Sequence, residues 1–480
     1  MHRKIKRRDQ GPRLSRRPGQ DDRVLELVLD AYARVFRDGG YASELLAESF
    51  RRREDLGPRA RATASRRLFG MIHLARKLDF ALESSGAKLT RDTERYAQYV
   101  AFRLLTQEIS VDDAFAALPA VNWNAVADID AKIAQEHSPV LRVALKCSLP
   151  DVLAERFVAE FGDDAEALGA ALNAPATQTL RVNTLKQLRA ELAAQFKERD
   201  VAVHATRYAP QGLTLDQDTQ QQERTADVLR RARTSGLFEP QDEGSQLVAE
   251  LAACALRPPR KRGHDGTLED VREDAIVVDF CAGAGGKTLA LGAAMNNHGR
   301  LFALSLKHHD YDELKRRAAR AGLDHVVAVQ IERNAWPREL NALRGKASCV
   351  LVDAPCSGIG ALRRKPEVRW RITAEALARL PAEQLEILKL AARLCAPGGY
   401  LIYATCTVLR AENEAVVAEF LKQSPQFSLT PARNLLENAL PVKAAARITD
   451  AAGQFLKLLP HRHDTDGFFA AALFRSSENG

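Results

Sequence analysis

Residues 275–295 read AIVVDFCAGAGGKTLALGAAM. An apolar, β-branched run ends on an acid, Asp279. A glycine-rich turn follows, and a run of helix formers closes the unit. Strand, glycine turn and helix in this order open a doubly wound α/β sheet. Glycine in such a turn adopts backbone conformations that other residues avoid, and it lets a ligand approach the main chain closely.

The alternation continues downstream. Strand-like runs are RLFALSL at 300–306, VVAVQI at 326–331, SCVLVDA at 348–354, GYLIYAT at 399–405 and GFFAAALF at 467–474. Helical patterns such as YDELKRRAARAG (311–322) and AEQLEILKLAARLC (382–395) separate them. Strands separated by helices predict a parallel sheet, so the fold class is α/β with a Rossmann-like domain over 241–480. Upstream, 147–240 mixes helices (DVLAERFVAEFG, QLRAELAAQFKERD) with a strand, TLRVNT at 179–184, and predicts a small α+β module. The stretch RPPRKRGHDGTLEDVRED at 257–274 is rich in Pro, Gly and charge and predicts an exposed loop. Residues 21–146 repeat apolar positions at i, i+3, i+4 and i+7, as in RVLELVLDAYARVF (23–36), which predicts an all-α domain.

The net charge is +8, but residues 1–20 carry eight Lys/Arg against one Asp and supply seven of those charges. The rest of the chain is close to neutral, so overall basicity does not indicate a basic binding face. The tail reads either as a basic arm that neutralises phosphates without reading sequence, or as a solvated terminus. No apolar h-region follows it, so no secretory signal is expected. No stretch nears the ~18 uninterrupted apolar residues of a membrane helix. Seven cysteines (147, 254, 281, 349, 356, 395, 406) lie scattered without a C-x-x-C pair. No metal site or disulfide scaffold is expected, and a reducing, cytoplasmic compartment is. Any one of these cysteines, taken alone, reads as a small buried hydrophobe.

Three ligands compete for the glycine loop. A P-loop needs G-x-x-x-x-G-K-[ST]; Gly286-Lys287-Thr288 fits its end, but Cys281 stands at its first glycine. The dinucleotide fingerprint G-x-G-x-x-G fits Gly283 and Gly285 and fails at Thr288. An S-adenosylmethionine loop, acidic-x-Gly-x-Gly-x-Gly, is met by Asp279, Gly283 and Gly285, with Cys281 at its first glycine. A purely structural turn remains open beside it.

Two further strand ends carry thiols: Asp353-Ala354-Pro355-Cys356-Ser357-Gly358 and Tyr403-Ala404-Thr405-Cys406-Thr407. Ligands of open α/β sheets bind at the carboxyl ends of strands, and adjacent strands lie about 4.8 Å apart. If these two strands pair, both thiols share one crevice beside the glycine loop. Asp353 ends the first of these strands and lies in the same crevice.

Together CAGAGGKT (281–288), VLVDAPCSG (350–358) and YATCT (403–407) with AENEAVV (411–417) resemble the RsmB/Nop/Sun family of RNA cytosine-5 methyltransferases. QDEGSQL (241–247), RVNT (181–184) and HRHDTDGFFAAALF (461–474) extend the resemblance over about 150–480. It implies a Rossmann-like class I methyltransferase domain (241–480), preceded by the α+β module and by an all-α, NusB-like RNA-binding domain (21–146). It also implies S-adenosylmethionine as cofactor, small-subunit ribosomal RNA as partner, and a monomer. By the resemblance Cys406 is the nucleophile that adds to carbon 6 of the cytosine, Cys356 assists release, and Asp353 is placed to accept from the exocyclic amine of that base. The cofactor residues it implies are Cys281, Ala282, Gly283, Ala284, Gly285, Gly286, Lys287, Ser305, Asn334 and Asp353. Lys287 is expected to face the cofactor carboxylate or Asp353.

The chain departs from the family pattern in four places. Ser305 stands where an Asp usually binds the cofactor ribose, and Asn334 where a second Asp lies near the adenine. Gly283-Ala284 replaces Ala-Pro, and Thr407 replaces Ser. The first two changes keep a second reading open: a ribosome-associated RNA-binding relative with weakened catalysis. Downstream of Cys356, ALRRKPEVRWR holds Arg363, Arg364, Lys365, Arg369 and Arg371, which are expected to contact phosphates. Trp370 among them either stacks on a base or belongs to the core.

Overall fold

The computed structural model describes residues 20–53, 55–216, 223–257, 273–331 and 338–477. Two compact units divide at Ile129–Asp130. The first is helical throughout its described residues, with helices at Gln20–Asp38, Ala42–Arg52, Pro58–Ser84, Arg91–Leu105, Val111–Ala117 and Trp123–Ala127. Their apolar stripes meet in a core that includes Val28, Leu68, Met71, Ile72, Ala97 and Trp123. The division falls ahead of the expected boundary at 146. The helix Pro139–Lys146 buries Val143 and Ala144 with Leu153 and Phe157 of the helix Asp151–Phe161, and with Ile359, Leu377 and Leu409, so it packs within the second unit. The basic arm, apart from Gln20, and most of the charged stretch 257–274 lie outside the described residues.

The second unit holds two sheets. The small one is antiparallel, with β1 (Thr179–Val182), β2 (Val203–Ala205), β3 (Gly212–Leu215) and β4 (Phe238–Pro240) in the order β2-β3-β1-β4. One face packs Leu180, Val182, Leu213 and Phe238 against Leu192 and Phe196 of the helix Arg189–Lys197. The large sheet contains β5 (Ile276–Asp279), β6 (Arg300–Ser305), β7 (Val326–Gln330), β8 (Ala347–Asp353), β9 (Cys395–Thr405), β10 (Phe427–Thr430), β11 (Leu456–Leu458) and β12 (Phe468–Arg475). Its order is β10-β12-β9-β8-β5-β6-β7, with β11 beside β12. The pairs among β5, β6, β7, β8 and β9 are parallel, and β12 is antiparallel to β9 and β10.

The continuous apolar character of these strands has a simple cause: helices cover both faces of the sheet. Alternate residues enter opposite cores. Cys349, Leu351, Ile402 and Ala404 pack on one side, and Val350, Val352, Leu401 and Tyr403 on the other. Each fully buried Val or Leu contributes roughly 1.5–3 kcal/mol. Chain order reverses between β5 and β8: β6 lies to one side of β5 and β8 to the other. A crevice opens at the carboxyl ends of the strands at such a switch point, and Asp279, Asp353 and Thr405 end the strands that border it.

Candidate active site

The loop after β5 returns to a helix at Gly286–Ala294. Gly285 caps that helix with φ +87°, and a Cβ there would lie 2.3 Å from Leu314 Cδ1. Any side chain at 285 would therefore clash with the helix behind it as well as strain the backbone. The Asp279 carboxylate is buried, with one oxygen accepting from Thr288 Oγ1 at 2.7 Å. Its other oxygen, Oδ1, meets no close hydrogen-bond donor among the described residues, although the Cys281 main chain is near enough to favour the carboxylate. In the first turn of that helix, the Lys287 ammonium donates to Asp353 Oδ2 at 2.6 Å. Burial pulls the Lys287 ammonium toward its neutral form, but the charge and hydrogen bond of Asp353, with a smaller contribution from Cys406, outweigh this and raise its pKa. Lys287 thus stays charged and holds the Asp353 carboxylate, which is partly open to solvent. Of the two partners expected for Lys287, the Asp353 carboxylate is in contact with it.

β8 and β9 are parallel neighbours in the register Asp353↔Ala404. The chain leaves β8 through Ala354-Pro355 and β9 directly at Thr405, and the Cys356 and Cys406 sulfurs lie 3.3 Å apart. The two thiol loops are tied by backbone: Gly360 N donates to Cys406 O at 2.9 Å, and Gly467 N to Gly360 O at 2.9 Å. A Cβ on Gly360 would lie 2.1 Å from Gly467 O, so only glycine permits this approach. Behind the sulfurs sits a buried carboxylate, Glu412. It accepts from Ser357 N (2.8 Å), Ser357 Oγ (2.6 Å), Gln384 Nε2 (2.9 Å) and Thr407 Oγ1 (3.2 Å), so one residue after each cysteine is anchored to the same group. A buried carboxylate is tolerated because it is multiply hydrogen-bonded. Glu412 and Gln384 escaped the reading of the sequence; the one signal was Glu412 within AENEAVV.

The Cys356 thiol is pushed well above its ordinary range, first by its hydrogen bond to Cys406, then by burial and by the charges of Cys406 and Glu412. Cys356 therefore keeps its proton beside the Cys406 sulfur. Cys281 lies in the glycine loop, where burial raises its thiol pKa. Ala282, Gly283, Ala284 and Gly286 are partly exposed along the same loop. Ser305 ends β6, buried, with its hydroxyl donating to Lys307 O at 3.4 Å. Asn334 lies outside the described residues.

The arginine-rich stretch requires a correction. Arg369 is fully buried and donates to Asn173 Oδ1 (2.6 Å) and Ser148 O (3.2 Å). Arg363 is buried against Pro175 O (3.0 Å) and Asp464 Oδ1 (3.1 Å). Arg364 bridges Asp242 (2.9 Å) and Asp466 (2.8 Å). These three guanidiniums hold the segments around 147–177, 242 and 464–466 onto the loop after Cys356, so the bonded donors serve groups of the protein itself. Lys365 and Arg371 remain exposed at this surface, and Trp370 is half-buried.

The residues suit S-adenosylmethionine. Asp279 Oδ1 offers an acceptor to a cationic amine, and the glycine loop presents backbone rather than side chains. Ser305 offers a hydroxyl where a carboxylate would accept two hydrogen bonds. Asp279 also predicts a pH effect. Burial, with a smaller push from the Asp353 charge, raises its carboxyl from 3.8 to about 6 against the Thr288 hydrogen bond and the Lys287 charge. A raised folded-state pKa favours the fold below the unfolded value, and that contribution is lost as pH rises through about 6. About two pKa units correspond to about 3 kcal/mol. Asp279→Asn is expected to remove most of this loss, measured as urea stability of the cofactor-free protein between about pH 4.5 and about pH 7.5. A pH slope equal to that of the wild type would contradict the assignment.

Residues 267–474 match the family described as 16S rRNA methyltransferase RsmB/F, and residues 149–222 match the RsmF/B-like ferredoxin-like domain. The chain is 33% identical over 337 residues to the Bacillus subtilis protein named probable ribosomal RNA small subunit methyltransferase B, covering 70% of this chain and 68% of that one. It is 29% identical over 313 residues to ribosomal RNA small subunit methyltransferase F of Cronobacter sakazakii, covering 64% and 59%. Among solved structures, NSun6 from Pyrococcus horikoshii with SFG, an S-adenosylmethionine analogue, superposes with a TM-score of 0.54 at 20% identity, covering 68% of this chain and 99% of that one. No described helix is long and apolar enough to cross a membrane. With a glycine loop at the switch point, two thiols at neighbouring strand ends and these matches over both sheets, the chain belongs to the RsmB/F family of S-adenosylmethionine-dependent ribosomal RNA methyltransferases.

Proposed function

We propose that this enzyme methylates carbon 5 of a cytosine in small-subunit ribosomal RNA, with Cys406 bonded transiently to carbon 6 and Cys356 assisting release. The observation that carries this reading is the pair of sulfurs 3.3 Å apart at the ends of adjacent parallel strands. Carbon 5 of cytosine is a poor nucleophile. When the Cys406 thiolate adds to carbon 6, an S–C bond forms, the C5=C6 π bond opens, and carbon 5 gains the character of an enamine. S-adenosylmethionine supplies an electrophilic methyl carbon. The carbon 5 proton must then leave, so that the double bond re-forms and the S–C6 bond breaks.

Cys356 is the group positioned to take that proton. In the resting protein its bond to Cys406 and the Cys406 charge keep it protonated. Once Cys406 is a thioether it carries no charge, both contributions vanish, and Cys356 ionises more readily at the step that needs a base. Asp353, fixed by Lys287, accepts from the cytosine amine. The base must be unstacked or single-stranded to reach this crevice. The helical unit and the basic arm supply further RNA contacts in this reading.

The test is a reaction of the purified chain with S-adenosylmethionine and unmodified small-subunit RNA, read by mapping 5-methylcytosine. Methylation of a uridine, or of another cytosine atom, would overturn the proposal. Ser305 favours one alternative, an RNA-binding relative with weakened catalysis. Calorimetric titration separates the two, because that alternative requires no binding at millimolar cofactor.

A further inference from the structure

The second face of the small antiparallel sheet does not lie open. β1 alternates: Leu180 and Val182 enter the module's own core, whereas Thr179 and Arg181 point the other way. Arg181 is buried, and its Nη1 donates to the main-chain oxygen of Gly286 at 2.7 Å and to Gln241 Oε1 at 2.6 Å. Its cross-strand partner on β4 is Glu239, also buried. Glu239 Oε2 accepts from Arg317 Nη2 at 3.1 Å, and its other oxygen accepts from Arg320, both on the helix His308–Ala321. Arg317 uses Nη1 to hold the main-chain oxygen of Ala284 at 2.6 Å. Two carbonyl oxygens of the glycine loop are thus bound by guanidiniums, one from the small sheet and one anchored to it.

We infer that the small sheet is part of the cofactor site: Arg181, and Glu239 acting through Arg317, are positioning residues that hold the glycine loop in its binding shape. The loop needs such support. Gly283 and Gly285 both have positive φ, at 52° and 87°, and glycine gives up more conformational freedom on ordering than any other residue. Within the loop, Gly285 N donates to Ala282 O, and Ala282 N to Leu304 O of β6. The peptides after Ala284 and Gly286 are fixed through their carbonyls by the two guanidiniums. Fixing the second peptide also sets Lys287, whose ammonium holds Asp353. A loop ordered before binding costs the cofactor less affinity. The buried charges fit this role, since a guanidinium bonded to one carboxylate and one carbonyl defines a direction more sharply than apolar packing does.

A contact that merely docks the two sheets would predict a different result. The test compares the full-length wild type with Arg181→Met, Arg181→Lys and Arg317→Met. The first readout is hydrogen exchange of amides 282–287 without cofactor, expected to speed up about tenfold or more in Arg181→Met. The second is calorimetric affinity for S-adenosylhomocysteine, expected to weaken about tenfold. Because Lys287 also holds Asp353, kcat is expected to fall as well, while the KM for RNA is expected to change several-fold less than the affinity for S-adenosylhomocysteine. Arg181→Lys, which keeps one donor for Gly286, is expected to recover part of the loss. If Arg181→Met does not fold, Arg317→Met, which removes the Ala284 anchor and one of the two ion pairs of Glu239 but leaves Arg181 on Gly286, is read the same way. Unchanged exchange in the loop, unchanged affinity for S-adenosylhomocysteine, or a parallel loss of RNA binding would overturn the inference.

Discussion

Cys406→Ser is expected to abolish methylation, lowering turnover by at least about 10⁴-fold, while leaving cofactor affinity and melting temperature near the wild type. Without the sulfur, carbon 6 has no nucleophile and carbon 5 no enamine character. A factor of 10⁴ corresponds to about 5.5 kcal/mol of transition-state stabilisation, within what covalent activation of an unreactive ring must supply. The side chain is half-buried at the margin of the core, and its sulfur contacts Cys356, so exchange for the smaller hydroxyl perturbs packing little. Methyl transfer to RNA is followed with labelled cofactor. Turnover within a few-fold of the wild type would remove Cys406 from the mechanism.

Cys356→Ala is expected to act differently: it stalls the enzyme after methyl transfer. The carbon 5 proton then lacks its acceptor, the S–C6 bond persists, and a protein–RNA adduct accumulates on a denaturing gel. Loss of a positioned acid or base costs roughly 10²–10⁴-fold, so turnover falls by that factor while the adduct forms stoichiometrically. The double variant Cys356→Ala/Cys406→Ser should give no adduct, which ties the bond to Cys406. A Cys356 variant that turned over slowly without an adduct would show that the roles are wrongly divided. Because Glu412 anchors Ser357 and Thr407 rather than either sulfur, the remaining cysteine keeps its place in both single variants.

Much of the fold was legible locally. AIVVDF, SCVLVDA and GYLIYAT are apolar without interruption because both faces of the sheet are covered, and their alternate residues enter two different cores. The glycine turn was legible because positive φ restricts its residue types. Three arginines of the arginine-rich stretch were misread for a reason that is equally physical. A run of cations looks the same in sequence whether it meets phosphate or carbonyl oxygen. Arg363, Arg364 and Arg369 found Asp464, Asp242, Asp466 and Asn173, roughly 100–200 residues away along the chain.

The sequence by itself determined the strand–turn–helix unit, the residue types at the strand ends and the family. Each of these is a short-range pattern set by backbone geometry or by the chemistry of single side chains. Only the tertiary structure decided that the two sulfurs lie 3.3 Å apart, that Lys287 holds Asp353, and that Arg181 reaches Gly286 across 105 residues. Those contacts follow from strand order and sheet-to-sheet docking, which bring together groups that no local pattern relates.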